Sequence, residues 1–220
     1  MDDAGSMNSG PHQGQSVLSA GLPLDRARVV MVLVHGRGAT AESILELADA
    51  LARPHFAYLA PQAAANSWYP NSFLAPLASN EPGLSSGIKA IADVLARVAA
   101  AGIAPERTLL GGFSQGACLA LEYAARHAQR YGGLVGLSGG LIGPDDTPRD
   151  YPGSLAGTPV FLGCSDMDPH IPKARVEHSA AVLRRLGGSV TARLYPGMGH
   201  TINEDEVAAV RGMMDALAPA

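Results

Sequence analysis

Short apolar runs and longer helix-period runs take turns along this chain, and that alternation limits the possible folds more than any other feature. Arg28 to Val34 reads RVVMVLV, a β-branched run without polar alternation, the pattern of a strand buried on both faces. The next stretch, ATAESILELADALA, sets Ile44, Leu45, Leu47, Ala48 and Leu51 at helical spacing. FAYLA (Phe56 to Ala60) forms a second strand. A long Asn-, Ser- and Pro-rich connection then runs from Pro61 to Pro82 or thereabouts. A helix from Leu84 to Ala101 follows, with Ile88, Ile91, Leu95 and Val98 on one face. Strand TLLGGF, a helix from Gln115 to His127, and strands in GGLVGLSG and TPVFLGCSD come next. The chain closes with a helix around Pro172 to Leu186, strand SVTARLY, and a last helix from Asn203 to Leu217. Such alternation predicts an α/β fold, a doubly wound, mainly parallel sheet with helices on both faces. Ser16 to Leu22 fits an added antiparallel edge strand.

A chain of 220 residues suits one domain of this class, expected over residues 16–220. Residues 1–15, polar, acidic and Gly/Ser-rich, read as a disordered tail. With 47% hydrophobic residues the chain can fill a sizeable core. Its net charge of −4 comes with no cluster of Lys and Arg, which argues against a nucleic-acid partner. The longest clear apolar run, Val29 to Val34, falls far short of the ~18 residues of a membrane span. The start lacks both the basic segment and the apolar stretch of a signal peptide. Cys118 and Cys164 form neither a disulfide framework nor a metal-ligand spacing. The expectation is a cytoplasmic protein with no metal or other cofactor. A homodimer is compatible with the sequence.

In a sheet of this kind the functional loops gather at the carboxyl ends of the strands. Three polar residues fall there: Ser114 after TLLGGF, Asp168 after VFLGCSDM, and His200 after TARLYPGMG. Their order, Ser-Asp-His, is that of the α/β-hydrolase triad. A serine hydroxyl is a poor nucleophile until an imidazole takes its proton, and a carboxylate must hold that imidazole in the right tautomer. His200 is therefore the candidate base and Asp168 its orienter. Gly112 and Gly116 flank Ser114 in G-x-S-x-G, where side chains would collide across a sharp strand-to-helix turn. Two backbone N–H groups are needed for an oxyanion hole. Gln115 supplies one, and Arg37, in the turn after VVMVLV, is the choice for the other.

The segments LVHGRGA, APQAAANSWY, GGFSQGACLAL, GLVGLSG, DMDPHIP and YPGMGH stand in an order and spacing that resemble the phospholipase/carboxylesterase family, which includes the acyl-protein thioesterases. The resemblance runs from Val29 to Leu217. It implies a compact α/β-hydrolase with minimal lid that cleaves carboxylic esters or thioesters without a cofactor. By resemblance Ser114, Asp168 and His200 match the triad, and Arg37 and Gln115 the oxyanion positions. Two positions depart from the family's pattern: Arg37 replaces a leucine, and His170 an aliphatic residue. They favour small esters over long-chain acyl-protein substrates, and the H-G-R-G form resembles a bacterial subgroup of small esterases.

Competing readings attach to several of these residues. Asp166, two residues before Asp168, also follows the strand, but the resemblance selects the Asp before Pro169. His35 suits a loop-pinning role and His170 a pocket wall. Trp68, Tyr69, Phe73 and Leu74, in the long connection, form either a small cluster under the loop or a substrate pocket, to which Met198 also belongs. The function expected is a serine carboxylesterase acting on small-molecule esters of short to medium chain through an acyl-enzyme. The alternatives are an acyl-protein thioesterase or lysophospholipase, and, from another class, a non-catalytic binding protein on a hydrolase scaffold.

Overall fold

The computed structural model describes residues 10–218. Seven strands form one sheet: β1 (Val17–Gly21), β2 (Val29–Val34), β3 (Phe56–Pro61), β4 (Thr108–Phe113), β5 (Gly133–Leu137), β6 (Pro159–Ser165) and β7 (Ser189–Tyr195). Their spatial order is β1-β3-β2-β4-β5-β6-β7. Every pairing is parallel except that of β1 with β3, so the Ser16–Leu22 run does build an antiparallel edge. Five α-helices connect the strands: α1 (Ala41–Ala50), α2 (Gly83–Ala100), α3 (Gln115–Arg126), α4 (Lys173–Arg185) and α5 (Glu204–Leu217).

Strand periodicity divides the apolar residues between two cores. In β2 the side chains of Val30, Val32 and Val34 enter a core shared with α2, α3 and α4. Those of Val29, Met31 and Leu33 enter a second core against α1 and α5. A strand with side chains of one kind on both faces has to be buried on both, and all six residues of β2 are. At the far edge β7 is largely exposed. Two helix starts carry capping boxes, Thr40 with Ser43 and Asn203 with Glu206. Among the described residues no helix is long and apolar enough to cross a membrane.

The expected disordered tail needs one correction. Residues 1–9 lie outside the described residues, but Gly10 to Gln15 fold onto α2 and the long connection. His12 is 5% exposed. Its backbone N–H donates to Ser86 Oγ at 2.9 Å, and its Nδ1 accepts from the Ala64 N–H at 3.1 Å. Its Nε2–H is thereby left to donate to the Trp68 carbonyl at 2.9 Å. A polar composition suggested a solvated segment, whereas long-range hydrogen bonds from one histidine hold this one in place.

Candidate active site

The sequence GGFSQG forces a turn in which Ser114 adopts φ 55° and ψ −122°, a conformation unfavourable for any side-chain-bearing residue. Such strain survives only where the surroundings fix it. The Ser114 N–H donates to the Leu137 carbonyl at 2.9 Å and the Ser114 carbonyl accepts from the Cys118 N–H at 3.0 Å. A Cβ on Gly112 or Gly116 would run into the carbonyl oxygen of Val34. The glycines therefore let α3 pass directly against the end of β2, with Ser114 lifted above the sheet.

His200, in the loop after β7, brings Nε2 to 2.9 Å from Ser114 Oγ, and its Nδ1 lies 2.7 Å from Asp168 Oδ2. A neutral imidazole placed between them donates from Nδ1 to the carboxylate and accepts at Nε2 from the hydroxyl. The Asp168 side chain is fully buried, and that of His200 is 19% exposed. Burial pushes the Asp168 carboxyl up, but the bond from His200 and the N–H groups of His170 (2.8 Å) and Ile171 (3.0 Å) outweigh it. The net shift is downward, so Asp168 stays ionised. Cys164 Sγ lies 3.7 Å from the same Oδ2, close enough for a weak S–H donation. Burial is the largest cause that pushes this thiol up to about 12, which keeps it protonated. The rings of Phe113 and His170 each sit 4.8 Å from that of His200.

Asp166 has a different place. Its Oδ1 accepts from the Gly197 N–H at 2.8 Å, while Ser165 Oγ accepts from the N–H groups of Met167 (3.1 Å) and Gly199 (3.2 Å). The two side chains tie the loop that carries Asp168 to the loop that carries His200.

Among the described residues the backbone N–H groups of Arg37 and Gln115 donate to no carbonyl or side-chain acceptor. Gln115 opens α3, where the first N–H groups have no intrahelical partner and the helix dipole favours negative charge. The Gln115 side chain acts elsewhere: Oε1 accepts from the Trp68 N–H at 2.9 Å, and Nε2 donates to the Tyr69 carbonyl at 2.8 Å. His35, fully buried, pins the same loop. Its Nε2 accepts from the Ala63 N–H at 3.1 Å, so its Nδ1–H donates to the Gly36 carbonyl at 2.8 Å. Burial pulls its pKa down, which keeps the ring neutral.

A cavity of about 440 Å³ opens beside Ser114, and His200, Gln115, Arg37, Phe73 and His170 are among the residues that line it. Three residues expected to form the substrate pocket do not. Trp68 is completely buried beneath the loop, its indole N–H donating to the His35 carbonyl at 2.9 Å. It is an anchor, because its polar atom finds a partner only under the loop. Leu74 packs against the α2/α3 core, and Met198 Sδ turns toward Asn203 Nδ2 at 2.8 Å. Tyr69, grouped with them in the long connection, does supply cavity wall, as do Cys118, expected in the core, and Ile171, which the sequence did not single out. The position of Cys118 is readable after the fact: four residues beyond Ser114, it falls on the same helix face.

Fold and site define a class, the α/β-hydrolases with a serine, a histidine and a carboxylate at the strand ends. A family model described as Phospholipase/Carboxylesterase matches residues 17–217, and the chain belongs to that family. It is by class an ester or thioester hydrolase. A crystal structure of a phospholipase/carboxylesterase from Dyadobacter fermentans is similar, with 40% identity and a TM-score of 0.89 over 94% of this chain and 99% of that one. Acyl-protein thioesterase 1 of Saccharomyces cerevisiae is 28% identical over 205 residues, 82% of this chain and 89% of the yeast protein. Acyl-protein thioesterase 1 of Gibberella zeae is 35% identical over 127 residues, 54% of this chain. That match spans 51% of the fungal protein, about half its length.

Proposed function

We propose that this protein is a serine carboxylesterase that cleaves short- to medium-chain carboxylic esters through a Ser114 acyl-enzyme. The observation that carries the reading is the unbroken relay Ser114–His200–Asp168, with links of 2.9 and 2.7 Å, at the wall of the cavity. Ser114 Oγ attacks the ester carbonyl carbon as its proton passes to His200 Nε2. Asp168 remains ionised and holds the imidazolium through Nδ1. The N–H groups of Arg37 and Gln115 receive the developing oxyanion. His200 then gives its proton to the departing alcohol oxygen, and water, activated by the same imidazole, releases the acid. A cavity of about 440 Å³ with a guanidinium in its wall suits a small acyl group better than a long apolar chain. Two buried, unpaired cysteines accord with a reducing, cytoplasmic setting.

Thioesterase or lysophospholipase action is the second reading, favoured by the thioesterase names of the fungal relatives. Hydrolysis of p-nitrophenyl esters from acetate to palmitate, by wild type and Ser114→Ala in parallel, separates the two. We expect a short-chain maximum and a loss of about 10⁴-fold or more in kcat for the variant. A long-chain maximum supports the second reading. Equal rates in both proteins would overturn the role given to Ser114.

A further inference from the structure

The walls of the cavity carry no acidic side chain, although Asp and Glu number 20 in this chain against 16 Lys and Arg. Behind His200, the Asp168 side chain is fully buried and engaged by it. The ionisable side chains that reach the wall, apart from the Tyr69 and Cys118 hydroxyl and thiol, are Arg37, His170 and His200. The protein is acidic as a whole, yet the wall of this cavity carries a cation and no anion.

Arg37 is held there by uncharged acceptors. Its Nη1 donates to Ser67 Oγ at 3.2 Å and to the Pro70 carbonyl at 2.9 Å, and its Nη2 donates to the Asn71 carbonyl at 2.6 Å. All three acceptors are uncharged, and among the described residues no carboxylate lies within ion-pair distance of its guanidinium. Arg53, Arg126, Arg149, Arg175 and Arg193 each have a carboxylate partner, at 2.5, 2.8, 3.6, 2.6 and 2.8 Å. Arg107, Arg130, Arg184 and Arg211 donate to carbonyls as Arg37 does, but none of them lines this cavity. The Arg37 bonds therefore fix the head without neutralising it. They use three of the five N–H donors of a guanidinium, which leaves two for a ligand. A fixed, exposed, unneutralised guanidinium at a cavity wall is a recognition element for a carboxylate.

We propose that the preferred substrate is an ester that carries a free carboxylate on its acyl or alcohol part, and that Arg37 binds that carboxylate. The proposal rests on the esterase reading and narrows its substrate class. The tighter bonding of Arg37 to Pro70 and Asn71, both on the cavity wall, presets the loop so that binding requires little further ordering.

Matched ester pairs test it on the intact protein. For the acyl side, mono-p-nitrophenyl glutarate is compared with p-nitrophenyl valerate; for the alcohol side, para-acetoxybenzoate is compared with para-tolyl acetate. Wild type should favour the charged member of one pair by roughly tenfold in kcat/KM, the size of one charge-assisted hydrogen-bonded contact. Raising ionic strength should shrink that ratio while the neutral member's rate holds. In Arg37→Gln the ratio should fall toward one whatever happens to the absolute rates, and Arg37→Lys should restore part of it. A strap with only a structural role would lower both members of each pair together. A wild-type ratio of one or less in both pairs overturns the proposal and leaves the esterase reading standing, since the neutral esters are still cleaved. Failure to cleave any of the four overturns both. The ionic-strength series needs no variant, so a misfolded Arg37→Gln would not spare the proposal.

Discussion

The Ser114 turn and the His200 loop meet at 2.9 Å, yet they are held by opposite means. Ser114 stands at the centre of the sheet, between β4 and a helix whose residues are almost all buried, and close packing, together with its backbone bonds to Leu137 and Cys118, leaves its backbone no alternative. A Cβ on Gly116 would strike the carbonyl oxygens of both Val34 and His35. His200 stands beyond the exposed edge strand β7, on a loop whose Gly197 and Gly199 have φ values of 63° and 81° with open space around them. What holds that loop is a pair of side-chain acceptors, Ser165 and Asp166, from the neighbouring strand end. One partner is thus fixed by close packing, which is unforgiving, and the other by polar contacts, which are separable.

The sharpest way to break this comparison is to add one methyl group on each side. Gly116→Ala should cost about 4 kcal/mol or more, because backbone and not a flexible side chain blocks the new atom. Gly199→Ala meets nothing and pays only the left-handed backbone penalty, about 1–2 kcal/mol. Urea unfolding of the two variants measures the difference. Equal destabilisation would show that the central turn can relax and that packing does not set its geometry.

Tied to this contrast is what could be read before the structure. The buried strands, the helices and the strand-end positions of Ser114 and His200 were legible because each rests on a short-range signal, period, turn chemistry or a glycine pair, whereas the choice of Asp168 over Asp166 rested on the family resemblance. The supports of the long connection were not. Trp68 looked like a pocket residue because an aromatic in a long loop has no period to betray its burial. His12 sits 56 residues from the Trp68 carbonyl it binds, and Gln115 47 residues from the Trp68 N–H. Contacts of that span come from the folded topology and leave no local pattern. For the same reason Asp166 read only as a rival to Asp168, since nothing in the sequence marks an aspartate whose partner is a backbone N–H on the next strand's loop.

Asp166→Ala sharpens the comparison at the polar side. It removes the acceptor for the Gly197 N–H while Ser165 still holds Gly199, so the loop loosens without being released. Turnover of a p-nitrophenyl ester should fall by roughly tenfold in kcat with KM little changed, the pattern of a mispositioned base. Stability should move by less than about 1 kcal/mol, as the lost acceptor is only half-buried. A larger loss of stability than of turnover would mean that Asp166 holds up the strand ends and not the loop.

The last contrast concerns the foot of the His200 loop. Glu206 is fully buried, caps α5 by accepting from the Asn203 N–H at 2.9 Å, and leaves its Oε1 without a partner against Gly163 of β6. Burial is the main cause that pushes this carboxyl up to about 7; the Asn203 N–H opposes it and neighbouring Asp205 adds to it. In the unfolded chain the same group loses its proton in the ordinary glutamate range, near 4.3. Between those values the folded protein binds more protons than the unfolded one, so stability falls as pH rises from about 4.3 to about 7. Glu206→Gln keeps an acceptor for Asn203 and cannot titrate, so its melting temperature should decline less over that window than the wild type's. Parallel curves for the two proteins would mean that the Glu206 carboxyl titrates alike in the folded and unfolded states, and that the polar side of the site is wetter at its foot than the packing around Gly163 implies.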